Sequence, residues 1–188
     1  MKEIYTPKLA LYHPNGKGTG SAILIELHPA HGMNAGALFF RISNQKTVGS
    51  CHTPPTFDWA DSTTVRMDFV DLSKMLQVFR GEKESIEGDR GIYHRSAKMT
   101  QVIRFDHRVE PYGHYALRVA TKGIEDGDEE RIYSFNFTPA EALGLCEAIA
   151  GSMPVIAFGT GFEQTSIELA MDEERDKQAP APSETKKE

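Results

Sequence analysis

A change of hydrophobic period that occurs twice, each time after a run of strands, constrains this chain more than any other feature of its sequence. Around residues 64–69 the pattern alternates, and from Asp71 onward Leu72, Met75, Leu76 and Phe79 recur at i, i+3, i+4 and i+7, the spacing of an amphipathic helix. Asp71 is placed to cap the free amides of the first turn, and Gly81 to take the left-handed position after the last. Alternation returns at residues 92–95, 101–108, 115–120 and 131–137. A second helix then opens on Thr138-Pro139-Ala140-Glu141, where threonine and glutamate satisfy each other's backbone amides and proline fills the first helical position. Leu143, Cys146, Ile149 and Ala150 give that helix an apolar face, Gly151 ends it and Pro154 bars its return. Four strands are read ahead of the first helix, at residues 8–13, 21–27, 37–43 and 64–69. The first two are joined by the turn Pro14-Asn15-Gly16-Lys17-Gly18, and the last follows a long polar loop. Strands that run before each helix, instead of alternating with helices one by one, predict antiparallel sheets and the α+β class, four strands and a helix written twice.

The length of 188 residues allows one domain. An apolar share of 39% is enough to build its core without staples. Cys51 and Cys146 are too few for a disulfide framework or a cysteine zinc site, and no apolar run is read as a membrane span, so a soluble, cytoplasmic protein is expected. Charge is unevenly spread. Residues 163–188 hold eight acids against four bases, a composition that cannot offset its own ordering entropy, and they are expected to be a disordered charged tail beyond a domain of residues 1–162. Residues 90–122 hold seven bases against two acids, a basic stripe inside a chain whose net charge is −6. Such a stripe serves either as a footprint for phosphate or as a solvated sheet face.

Strand alternation sorts the side chains. Ile103, Phe105 and His107 point one way while Arg104, Asp106 and Arg108 point the other, and Ala116, Arg118 and Ala120 share the second face of the neighbouring strand. Asp106 is read as the charge partner of the arginines. In the first half Leu38, Phe40 and Ile42 make the core face and leave Phe39 and Arg41 outside, an aromatic beside a cation that suits base stacking or, equally, a subunit interface. Gly16-Lys17-Gly18-Thr19-Gly20 lacks the strand and helix of a phosphate loop and reads as a flexible hairpin. His28 with His31, and Cys51 with His52, fall short of the four ligands of structural zinc. No nucleophile elbow, carboxylate pair or Ser/His/Asp set stands out, so no catalytic residue, metal or cofactor is assigned.

Several short motifs occur in an order that resembles the Whirly single-stranded DNA-binding proteins. Phe57-Asp58-Trp59 is followed by a strand at residues 65–69 and a helix from Asp71; then come Tyr93-His94 before a strand, the hairpin around Pro111-Tyr112-Gly113, the Thr138-led helix and Met153-Pro154. The similarity spans about residues 5–160. The family's Lys-Gly-Lys-Ala-Ala-Leu signature has a partial counterpart in Lys17-Gly18 and Ala22-Ile23, interrupted by Thr19-Gly20-Ser21. The resemblance implies two packed antiparallel four-stranded sheets with helices, a homotetramer, and binding of single-stranded DNA, or RNA in the same form, with little sequence preference. The related fold of the transcriptional coactivator and Pur-type proteins stands beside it.

Combined with the resemblance, the basic stripe predicts a nucleic-acid path over Lys17, Phe39, Arg41, Trp59, Lys98, Arg104, Arg108 and Arg118. Cations there neutralise phosphates and release counterions, while Phe39 or Trp59 stacks bases that a duplex would hide. The expected setting is a nucleoid-associated role in replication, recombination, repair or transcription, with the acidic tail competing with DNA, recruiting a partner protein or, equally, only keeping the chain soluble. The alternatives are a non-enzymatic scaffold that binds protein on its sheet face and a metal-dependent hydrolase built on the histidines.

Overall fold

The computed structural model describes residues 8–88, 90–108, 113–125 and 127–159. The expected tail at 163–188 and the turn residues Pro111 and Tyr112 lie outside them. All eight expected strands are present, as β1 (Lys8–His13), β2 (Ser21–His28), β3 (Ala37–Thr47), β4 (Thr56–Met67), β5 (Ile92–Arg95), β6 (Met99–Arg108), β7 (His114–Gly123) and β8 (Arg131–Phe137). They form two four-stranded antiparallel sheets, β1-β2-β3-β4 and β5-β6-β7-β8, in which every neighbour in space is a neighbour in sequence. Helix α1 (Phe69–Phe79) closes the first sheet and α2 (Pro139–Phe158) the second.

Three departures from the sequence reading bear on the architecture. The polar loop before β4 is shorter than expected, because β3 and β4 continue through two register shifts until Thr47 pairs with Thr56; Asp58, Asp61 and Ser62 are poor strand formers and conceal this extension. The cap of α1 is Asp68, not Asp71: Oδ1 of Asp68 accepts the amides of Val70 and Asp71, and Asp71 returns the bond from the third helical position. Gly81 does take the left-handed conformation, with φ of 72°.

The third difference is larger. Helix α2 does not end at Gly151 but runs through Pro154 to Phe158. Proline removes one internal hydrogen bond. Tertiary contacts hold the last turn in place: the amides of Ala30 and Gly36, in the β2–β3 connection, donate to the carbonyls of Val155 and Ile156 at 3.2 and 3.1 Å. The buried side of α2 is Ala142, Leu145, Ile149, Ser152 and Ile156, so Leu143 points outward at 67% exposure. At twenty residues this helix also has the length and composition of a membrane span, which a reading that stopped at Gly151 could not register. Here its buried stripe packs against α1, β7 and β8.

One core joins both halves. Ile23, Phe40, Ile42 and Val65 from the first sheet meet Ile103, Phe105, Val119 and Phe135 from the second, with Leu72 and Met75 of α1 and Leu145 and Ile149 of α2 between them. The sheets cross. His94, Gln101, Thr121 and Arg131 stand in one row across the second sheet, and each reaches the β4–α1 segment in turn. Arg131 donates to Asp61 (2.7 Å), Thr121 bonds Thr63 (3.0 Å), Gln101 donates to Thr63 and to the Thr64 carbonyl (3.0 and 3.1 Å), and His94 meets Asp71 (3.0 Å). Strand β4 therefore lies across the ends of β8, β7 and β6, an orthogonal packing, and leaves both outer sheet faces uncovered by helix.

Candidate nucleic-acid interface

Strand register builds the outer face of the second sheet. Tyr93, Val102, Ala120 and Ile132 sit directly opposite one another across all four strands and make an apolar row. Tyr93 and Ile132 at its two ends are 59% and 56% exposed. On one side of this row runs Arg104–Arg118–Ser134, and on the other Arg95–Thr100–Lys122. An apolar track thus lies between two cationic ones. Ala120, a small half-exposed residue, sits in the middle of the row, while Ala116 on the same strand is buried.

Of the expected residues, Arg104, Arg108 and Arg118 come together around a recess of about 430 Å³ that Ser85 and Gly88 also line. Arg104 and Arg118 are directly opposed on β6 and β7. Arg108 is held differently: its Nε donates to Asp106 Oδ2 at 2.6 Å, the charge pairing the sequence suggested. Lys98 is exposed in the β5–β6 turn, at the end of this sheet. Lys17 sits at the tip of the β1–β2 hairpin, where Oδ1 of Asn15 accepts the amides of Lys17 and Thr19 and fixes the turn.

Phe39, Arg41 and Trp59 belong to the other sheet. Arg41 lies over the Trp59 ring, its guanidinium carbon 5.5 Å from the ring centroid, and donates to the Trp59 carbonyl and to Ser62 Oγ. Both side chains are half-buried by this arrangement. Phe39 is half-buried too, edge-on to His28 at 4.5 Å, and stands between Glu26 and Arg66 in the strand register. A hydrogen bond from Lys8 and the nearby His28 hold the Glu26 carboxyl below its usual range against the opposing effect of burial. The aromatic and arginine expected to act with the basic stripe are therefore on a separate face from Arg104, Arg108 and Arg118.

A cleft of about 540 Å³ lies between these two faces, where β4 approaches β5 over the first turn of α1. Phe39 and Arg66 line it from the first sheet, Tyr93 and Arg95 from the second, and Asp68, Asp71 and His94 from its floor. Sequence reasoning passed over Arg66, Asp68 and Ile132, counted Arg95 only among the bases of the stripe, and took Tyr93 only as part of a motif. Alternation in β5 carried a usable signal, because Tyr93 and Arg95 must share a face. Among the described residues no three His, Cys, Asp or Glu side chains converge as metal ligands.

No protein-family model matches the chain, and no curated protein sequence matches it. Solved structures do. WHY1 from Arabidopsis thaliana superposes with a TM-score of 0.67 at 14% identity, over 92% of this chain and 97% of that one. The Whirly fold is shared. WHY3 from the same plant gives 0.67 at 13% identity, over 90% and 99% of the two chains, and PBF-2, described as a plant transcriptional regulator, gives 0.62 at 12% over 97% and 92%. The Whirly resemblance of the sequence thus holds for the architecture across nearly the whole length, at an identity that carries the fold alone.

Proposed function

We propose that the chain binds single-stranded DNA, or single-stranded RNA through the same contacts, with little preference for sequence and without catalysis. The observation that carries this reading is the apolar row Tyr93–Val102–Ala120–Ile132 with cationic rows on both sides. Unpaired bases have apolar faces that cover such a row, while their phosphates, spaced along the strand, meet Arg104, Arg118, Arg95 and Lys122. A duplex offers this face only its phosphates. The Whirly architecture supports the same reading, and so does the transcriptional role in the description of PBF-2. We place the function in the nucleoid of a cytoplasm, in replication, recombination, repair or transcription, with residues 1–162 as the binding domain and 163–188 as a charged appendage.

Self-association belongs to the same proposal. The outward side of α2 presents Leu143 and Phe158, 67% and 84% exposed, alongside the small exposed residues Gly144, Ala148 and Gly151 and the single charged exposed residue Glu147. A homotetramer would cover them. Light scattering at micromolar concentration should give a multiple of the 20.9 kDa chain, and a monomer would refute it. The central test is a gel shift with unlabelled competitors: single-stranded oligonucleotides of any sequence should displace the probe at far lower concentration than duplex. Equal competition by duplex would overturn the function proposed.

A further inference from the structure

The cleft between the sheets differs from the open faces on either side of it. Its rim carries two aromatics, Phe39 and Tyr93, and two guanidiniums, Arg66 and Arg95. Arg66 stands opposite Phe39 in the ladder and donates to the Ala35 carbonyl at 3.1 Å. Its floor is acidic. Asp68 and Asp71 occupy the first turn of α1, where they already satisfy the free helix amides, and Asp71 is buried and bonded to His94. Phosphate is therefore unwelcome at the floor, because the helix end has been neutralised by two carboxylates. Planar groups fit the walls, anions the rim, and hydrogen-bond donors the bottom.

We infer that this cleft receives one nucleotide turned out of the bound strand, its base between Phe39 and Tyr93, its phosphate at Arg66 or Arg95, and its donor edge against the Asp68 carboxylate. The inference rests on the function proposed above and adds to it a preference at one position. Oδ1 of Asp68 accepts the amides of Val70 and Asp71 at 2.9 and 3.0 Å, which leaves Oδ2 to meet a ligand. Among the four bases only guanine presents two neighbouring donors, N1–H and N2–H₂, that one carboxylate oxygen can accept together; adenine and cytosine place an acceptor beside their amine, and thymine flanks its single imino hydrogen with two carbonyls, all repelled by the anionic Oδ2. Guanine is the base that a carboxylate floor selects. The volume of about 540 Å³ admits a purine with its sugar.

The test compares an all-thymine strand of about 16 nucleotides with the same strand carrying one central guanine, by fluorescence anisotropy. The guanine strand should bind about tenfold more tightly, within the discrimination of a good base-edge contact. Asp68→Asn retains the Oδ1 acceptor that caps α1 and puts an amide in place of Oδ2, so its melting temperature should hold while the two strands come to equal affinity. Tyr93→Ala, at an exposed position on an edge strand, should weaken the guanine strand about tenfold and the all-thymine strand clearly less, since only the former loses the stacking of the turned-out base; equal loss on both strands would also overturn the cleft assignment. Equal binding of the two strands by the unaltered protein, or a guanine preference that survives Asp68→Asn, overturns the cleft assignment and leaves the sheet-face path standing. Failure to bind either strand overturns the function and the cleft together.

Discussion

Asp106 sits on the basic face as a brake on Arg108, and removing its charge should strengthen binding. Its Oδ2 takes the Arg108 Nε at 2.6 Å, so the charge of that guanidinium is already answered at the recess it shares with Arg104 and Arg118. Asp106→Asn keeps the shape and deletes the charge. The released arginine then reaches a phosphate, and each phosphate contact on a single strand steepens the plot of log affinity against log salt by about 0.7. At about 0.1 M salt, one decade below a 1 M reference, that slope corresponds to roughly fivefold tighter binding. Stability should change little, since partly exposed ion pairs of this kind contribute under about 1 kcal/mol. Anisotropy titrations at several salt concentrations read both quantities at once. The opposite change, Arg104→Ala with Arg118→Ala, removes the opposed pair on β6 and β7 and should flatten the slope by about 1.4. An Asp106→Asn variant with unaltered slope, alongside an arginine double variant that also keeps it, would show that the strand does not cross this face.

Two glycine replacements should move stability in opposite directions. A methyl group on Gly36 would lie 2.8 Å from Ile156 Cα and 2.7 Å from the Ala30 amide, all backbone, so Gly36→Ala should push the β2–β3 connection off the end of α2 and cost about 1 to 3 kcal/mol. Gly151→Ala meets nothing within 4 Å on a helix interior and should add about 0.5 to 1 kcal/mol, and thermal melts followed by circular dichroism decide both signs. Burial works against the charge of Glu141, yet the Thr138 amide and hydroxyl and the His13 ring bond it and hold its carboxyl below the ordinary range. The stability it contributes is therefore complete above the unfolded carboxyl pKa of about 4.3 and is lost as pH falls through the lower folded value. Glu141→Gln should cost about 1 kcal/mol near neutrality and nothing in acid, as denaturant melts across pH would show. If residues 163–188 are the charged appendage proposed above, truncation after residue 162 should leave the melting temperature of the domain within a degree or two of the full chain. A large drop would place the tail in the core.

What the sequence disclosed, and what it withheld, follows from how far apart the deciding groups are. Alternation is local, so Ile103, Phe105 and Val119 announced their strands and their inward faces directly. Helix α1 was visible from Leu72 and Met75, but two aspartates three residues apart both suit a cap, and only the backbone geometry separates Asp68 from Asp71. Pro154 reads as a stop in any sequence. That α2 continues past it depends on Ala30 and Gly36, more than a hundred residues earlier, reaching the last carbonyls. For the candidate site, Arg104 and Arg118 were legible as outward cations. Their direct opposition, the apolar row beside them and the separation of Phe39, Arg41 and Trp59 onto a second face depend on register and on the crossing of the sheets. The cleft draws residues from β3, β4, α1, β5 and β6, so no window of sequence contains it.

The strictly consecutive order of strands in both sheets has a consequence during synthesis. Every ladder pairs a strand with the one just made, which keeps loops short and pairing fast as the chain leaves the ribosome. Closure is late, however. The cover of Ile23, Phe40 and Val65 is complete only once Phe135, Leu145 and Ile149 have joined the core. Between the completion of β4 at Met67 and the arrival of β8 and α2 the nascent chain carries a finished sheet whose apolar face is only partly covered. A ribosome stalled before residue 131 would leave that half incompletely covered, the kind of species that aggregates.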